Sequence, residues 1–451
     1  MAKPFPVRYG WVRENVMNRN TKTATVIVEV LDTTGSPVRS AMVQRVGYRL
    51  KETLASAYGV PEGDLWPTPS PTPTDTEGRT TLVYPLEGEE GMRLAVLFVE
   101  VAHPDFCRTP IELSVTSPTP LVLQRGARLT LIGESETKDL RVHADLGVAR
   151  FLPPMDWVRS STDTVTARLP AGRYAVRAIG LGSTDEVLFS APQEFRAENQ
   201  TATLRLALTP GRSVAGALDS SVPRPVQHGI VVAEVTTPSA AGINLWKTSA
   251  PLAEDGTFLL TSLPPGDLAL VVVCDGFLSQ PTEADSRSWK PQIFPADTPS
   301  PLRVQMTPSG TARIQVLGPD HAPLNGAIVL FSPNQQFQSG NTILGSCAGT
   351  AEAFEKGEAP KPALNNRYQV QTDAAGIALI PNLPPGQQIF YVHHADYEMP
   401  IAFVPSYPVR DARIEIMAGA VVEQTVTMEK AGTRSLVREI EKYEAALQHK
   451  R

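Results

Sequence analysis

Gly256-Thr-Phe-Leu-Leu-Thr-Ser-Leu263-Pro264-Pro265-Gly266 and Gly376-Ile-Ala-Leu-Ile-Pro-Asn-Leu383-Pro384-Pro385-Gly386 align without a gap at an offset of 120 residues. An acidic turn precedes each, Glu254-Asp255-Gly256 in one and Asp373-Ala374-Ala375-Gly376 in the other, and each runs on to an aromatic, Phe277 or Tyr397. An Asp shortly before a Gly makes a tight turn, the carboxylate accepting from backbone amides while Gly takes the left-handed conformation. Leu-Pro-Pro-Gly is a second turn, in which the prolines hold an extended arm and the glycine reverses it. The runs that follow, Leu268-Ala-Leu-Val-Val-Val-Cys274 and Ile389-Phe-Tyr-Val392, are apolar, with β-branched and aromatic residues that suit buried strands.

Weaker copies lie upstream. Leu169-Pro170-Ala171-Gly172 follows Thr162-Asp163, and Thr74-Asp75-Thr76-Glu77-Gly78 leads to a turn at Gly88-Glu-Glu-Gly91, with His103-Pro104-Asp105-Phe106 in the place of the closing aromatic. Openings repeat too. Thr23-Ala-Thr-Val-Ile-Val-Glu-Val-Leu-Asp32 runs into Gly35-Ser36-Pro37-Val38, and Thr311-Ala-Arg-Ile-Gln-Val-Leu-Gly318 into Ala322-Pro323-Leu324. Repetition at this period predicts tandem domains, with repeats over 23–125, 126–210, 211–309 and 310–430, the second divergent. Residues 1–22 form a leading segment. In 431–451, Ser435 as N-cap and Leu436, Ile440, Tyr443 and Leu447 on one stripe predict an amphipathic C-terminal helix.

Composition agrees with many short strands. The 451 residues include 41 Pro and 32 Gly, scattered between apolar runs. A hydrophobic content of 42% excludes a charged, disordered chain, and a net charge of -6 with 20% charged residues argues against nucleic acid as a partner. Three cysteines, Cys107, Cys274 and Cys347, lie far apart and make no disulfide framework. No apolar run reaches the roughly 20 residues that span a bilayer. The first ten residues lack the apolar core of a secretory leader, which on sequence alone points to a cytoplasmic protein or a leaderless assembly.

The order of strand, Pro-Val or Pro-Leu turn, strand, acidic Gly turn, strand, Leu-Pro-Pro-Gly and strand resembles the carboxypeptidase regulatory-like domain, kin to the Cna-B collagen-adhesin repeat. The resemblance implies an all-β chain of four tandem transthyretin-like, Ig-like β-sandwich domains, and a place at the cell surface or outside the cell. Cna-B relatives often carry a Lys–Asn cross-link, but the opening strands Val26-Ile-Val-Glu-Val and Ile314-Gln-Val lack Lys, and the closing strands Thr203-Leu-Arg-Leu and Val422-Glu-Gln-Thr-Val-Thr427 lack Asn.

Few residues offer chemistry. His393-His394-Ala395-Asp396 could hold a metal, yet among seven histidines no second cluster completes a ligand set, and neighbours on a strand point to opposite faces. No nucleophile elbow, H-E-x-x-H or phosphate-binding glycine loop occurs. The expectation is therefore no catalytic residue, no metal and no cofactor. Trp66, Trp157, Trp246 and Trp289 fall in or near predicted loops, where they would stack on sugar rings, anchor a protein partner, or plug sandwich ends. Long loops at about 44–73, 278–301 and 333–366 are the other candidate binding segments. The Leu436, Ile440, Tyr443, Leu447 stripe would dock on a partner or pack back on the fourth repeat. These features point to a non-enzymatic structural or protein-binding rod. The rival readings are a glycan-binding array that uses the loop tryptophans, and an accessory part of a hydrolase whose catalytic domain is absent.

Overall fold

The computed structural model describes residues 23–50, 56–58, 70–85, 94–114, 120–136, 141–147, 158–184, 186–198, 200–240, 242–280, 291–331, 368–394, 396–404 and 407–431, together with Glu439, Lys442 and Tyr443. Among the described residues the repeats are all-β, and every strand pairing there falls within 23–123, 127–210, 212–308 or 310–430.

One sheet plan recurs. In each repeat the opening strand lies between an antiparallel neighbour and the closing strand, which runs parallel to it. Thr23–Asp32 sits between Arg79–Pro85 and Leu121–Leu123. Ala127–Glu134 sits between Thr164–Leu169 and Thr201–Ala207. Arg212–Leu218 lies between Thr257–Leu263 and Leu302–Val304, and Gly310–Leu317 between Ile377–Leu383 and Val421–Thr427. A second sheet covers each of these, centred on Met42–Leu50 and Leu94–Ala102, on Gly172–Leu181, on Ile230–Ser239 and Asp267–Cys274, and on Ile328–Phe331 and Gly386–His393. The inward phase of the strands closes the sandwich. Val26, Val28 and Val30 alternate into one core, and Ala312, Ile314 and Val316 into another. The divergent second repeat keeps the plan, with Leu129 and Leu131 at 0% exposure.

The acidic turns fold as their residues dictate. Asp75 Oδ1 accepts from the Glu77 and Arg79 amides at 2.9 and 2.8 Å, and Asp373 Oδ1 from the Ala375 and Ile377 amides at 2.9 Å each. Gly78 and Gly376 take φ +74° and +72°, and a Cβ there would stand 2.6 and 2.5 Å from the Val30 and Val316 carbonyl oxygens. The residue before each Asp does as much. Thr74 Oγ1 donates to the Val38 carbonyl at 2.6 Å and accepts from the Ala41 amide at 2.9 Å. Thr372 Oγ1 repeats this with Leu324 at 2.7 Å and Ala327 at 2.9 Å. Both threonines are buried and tie the turn to the start of the second sheet. The third repeat lacks this threonine. There Arg224 Nε donates to the Asp255 carbonyl at 2.7 Å, and the guanidinium also donates to the Leu218 carbonyl at 3.3 Å.

Two expectations about loops are corrected. Residues 44–50 continue the strand Met42–Leu50, and Ser56–Tyr58 pairs back on it, so the long loop expected at 44–73 is in part a hairpin. Gln292–Phe294 likewise pairs with Asp267–Cys274 inside the segment expected as a loop at 278–301. The expected loop at 333–366 lies outside the described residues. Of the expected C-terminal helix, Glu439, Lys442 and Tyr443 are helical, and Lys442 Nζ donates to Glu439 at 2.9 Å. Leu436, Ile440 and Leu447 lie outside the described residues.

Candidate functional site

Repeated domains present their distinctive chemistry where one meets the next, and the three junctions here differ. The junction between the third and fourth repeats is apolar with a polar pin. Val232, Val271, Val273 and Leu278 of the third repeat belong to the same buried cluster as Ile314, Phe331 and Phe390 of the fourth. Asn382, 5% exposed at φ +59°, pins the turn: its Oδ1 accepts from the Gly276 amide at 3.0 Å and from Ser309 Oγ at 3.3 Å, while its carbonyl accepts from Tyr368 Oη at 3.2 Å. Asn is among the few side chains that take the left-handed region readily.

The junction between the second and third repeats is also sealed. Ile179, Leu181, Val187 and Phe189 of the second repeat share a buried cluster with Val235, Trp246 and Leu270 of the third. The Trp246 indole meets the Phe189 ring edge to face at 4.9 Å between centroids. Asn244 Nδ2 donates across the junction to the Ala175 carbonyl at 3.3 Å, and Arg177, fully buried, places its guanidinium 5.6 Å from the Phe189 ring centre.

This corrects the expectation for Trp246. It lies not in a loop but in the strand Gly242–Pro251, and is 5% exposed. The sequence around it mixes polar and apolar residues because this strand belongs to a ten-pair hairpin with Ile230–Ser239 that reaches over the neighbouring repeat. The indole Nε1 has no hydrogen-bond partner among the described residues. Trp66, Trp157 and Trp289 lie outside the described residues.

The junction between the first and second repeats is different. The buried cores of these repeats form two separate clusters. A cleft of about 410 Å³ opens between them instead, walled by Arg125, Arg128 and Arg168 with Gln124, Gln200 and Thr201. Gly126, at φ +60°, carries the link, and a Cβ there would overlap Cys107 Sγ and the Leu169 carbonyl. Arg168 Nε donates to the Pro104 carbonyl of the first repeat at 2.9 Å, and the Arg125 guanidinium lies 5.6 Å from the centre of the Phe106 ring. Burial pushes the Cys107 thiol beneath the link up to about 11, so at neutral pH it is an uncharged packing residue. Sequence reasoning did not find these arginines. The available signal was basic residues at the outward phase of two alternating strands, Ala127-Arg128-Leu129 and Ala167-Arg168-Leu169.

The histidine pair has a structural explanation at His394. Its Nδ1 accepts from the Asp396 amide at 3.1 Å, and its ring lies 5.1 Å from that of Tyr397. His103 does the same with the Asp105 amide at 3.1 Å and the Phe106 ring at 5.2 Å. In both places the histidine ring thus accepts from the backbone amide two residues on. Among the described residues no three His, Cys, Asp or Glu side chains are grouped to hold a metal ion. Among them, too, no helix is long and apolar enough to cross a membrane.

No family model matches the chain, and no curated protein matches it. Solved structures that superpose in part include the minor pilin GBS52 of Streptococcus agalactiae, 13% identical with a TM-score of 0.25, covering 50% of this chain and 98% of that one. The major pilin subunit BcpA of Bacillus cereus is 9% identical with a TM-score of 0.18, covering 91% of this chain and all of that one. The full-length major pilin SpaD of Corynebacterium diphtheriae is 10% identical with a TM-score of 0.18, covering 93% of this chain and all of that one. Scores this low carry no argument about role, so the tandem β-sandwich architecture rests on the strand pairings of this chain itself.

Proposed function

We propose that the chain is a non-enzymatic structural rod, in which the second, third and fourth β-sandwiches hold a fixed spacing and the loops meet protein partners. The observation that carries this reading is the continuity of the buried apolar clusters through the second and third junctions. Domains joined by flexible linkers keep separate cores, whereas a shared core makes relative motion costly. Buried Trp246, the one tryptophan of the described residues, speaks against a glycan platform at that position, because stacking on a sugar needs an open indole face.

Small-angle X-ray scattering on the full chain, beside Asn382→Ala and Trp246→Ala variants, tests the rod. The wild type should scatter as one elongated particle, with the distance distribution broadening in each variant. A wild-type profile that can be fitted only by letting the second, third and fourth repeats move relative to one another would remove the basis for the proposal.

A further inference from the structure

We propose that the cleft between the first and second repeats binds a doubly charged oxyanion, a phosphate or a sulfate, carried free or as the ester of a small molecule. In the strand register Arg168 stands directly opposite Arg128 across an antiparallel pair, and Thr201 opposite Arg128 on the other side. One step along, Thr130 and Thr166 stand opposite each other with their hydroxyls 3.2 Å apart, which fixes this as one outward face of the sheet. Like charges set directly opposite on a sheet repel. Here a third guanidinium, Arg125, joins the same wall. A sheet that places two arginines face to face and adds a third beside them has a surplus of positive charge that nothing in the cleft wall offsets.

Two carboxylates neighbour the wall without lining it, Asp32 beside Arg125 and Asp105 in an open ion pair with Arg168. Asp32 Oδ1 accepts from the Thr34 and Ser36 amides of its own turn at 2.8 and 3.0 Å. Asp105 approaches Arg168 no closer than 3.8 Å, is itself 67% exposed, and lies outside the cleft wall. The wall adds two amide side chains and two hydroxyls to the three guanidiniums, and holds no carboxylate. Planar guanidinium forks suit the paired oxygens of an oxyanion, and three of them suit an ion that carries more than one charge. A volume of about 410 Å³ is within the range of small-ligand sites and leaves room for the organic part of an ester.

The position gives such a ligand a structural consequence. Thr33, Gln124 and Arg125 belong to the first repeat and its link, Arg128 and Arg168 to the second. An ion held by both sets fastens the junction whose two buried cores form separate clusters.

Isothermal calorimetry and thermal unfolding of the full chain decide the matter, with inorganic phosphate and inorganic sulfate as probes and sodium chloride at matched ionic strength as the control. Phosphate or sulfate should bind and raise the unfolding midpoint beyond the chloride control, and the stronger of the two identifies the ester class. Arg128→Gln and Arg125→Gln should each weaken binding about tenfold or more, the effect of losing a hydrogen bond to a charged group. Arg128→Gln without added anion should be no less stable than wild type, because it relieves the opposed pair. A wild-type response equal to chloride, or variants that bind as the wild type does, would overturn the proposal.

Discussion

Replacing Trp246 with alanine tests whether the second junction is a true shared core. A tryptophan buries on the order of 200 Å², and at about 25 cal/mol per Å² that is worth about 5 kcal/mol as an upper bound. Measured truncations of large aromatics in cores cost about 3–5 kcal/mol. The indole is 5% exposed and packs on Phe189 of the preceding repeat, so the loss should not stay in the third repeat. The unpaired Nε1 refines the expectation. A buried donor left unsatisfied costs about 1–3 kcal/mol. Trp246→Phe removes that donor while keeping a ring, and should therefore cost well under half of Trp246→Ala. A double-mutant cycle with Phe189→Ala, followed by urea unfolding through far-UV circular dichroism, should give a coupling energy of about 0.5–1.5 kcal/mol. Hydrogen exchange adds a local readout, since amides of Gly172–Leu181 in the second repeat should exchange faster when Trp246 of the third is truncated. Additivity within about 0.3 kcal/mol together with unchanged exchange in the second repeat would refute the shared-core argument.

Two further outcomes follow from the turns. Thr74→Val and Thr372→Val each strand a buried carbonyl and a buried amide, and should each cost about 1–3 kcal/mol in urea unfolding, with serine at either site close to wild type; a loss below about 0.5 kcal/mol would mean the hydroxyl is not the fastening. Hydroxyl donors, Thr34 to Asp32, Ser161 to Asp163 and Thr257 to Asp255, hold these three carboxyls below the ordinary value of 3.8. A folded-state value below the unfolded one means stability that is present above pH ~4 and is lost as pH falls through the depressed values, so the melting midpoint should drop on acidification past that point, and a flat midpoint down to pH ~2.5 would contradict it.

The fold was legible where the sequence repeats its turns. Asp75-x-x-Gly78 and Asp373-x-x-Gly376 reveal a conformation that only those residue types support, and the strand pattern follows from them. Thr74 and Thr372 escaped notice because a threonine before an aspartate is unremarkable until its hydroxyl is seen bridging two strands. Trp246 looks like a loop residue because its strand serves two masters: it pairs within its own sandwich along its length while Trp246 packs on Phe189 of the preceding one, so no single periodicity describes it. The arginines of the cleft were invisible for a related reason. Arg128 and Arg168 are 40 residues apart, each an ordinary outward residue of an ordinary strand, and only the register sets them opposite.

That the closing strand of every sandwich runs parallel to the opening strand has a mechanical meaning. Chain enters at one end of this pair and leaves at the other, so a pull along the backbone drags the two strands past each other and strains all their cross-links together. Tension cannot peel them one by one. The overlap spans seven residue pairs in the second repeat and seven in the fourth, but three in the first and three in the third. Stretched singly, the chain should give way at two levels of force, the first and third repeats opening before the second and fourth, and a single-molecule trace with four equal steps would show that another part of the sandwich bears the strain.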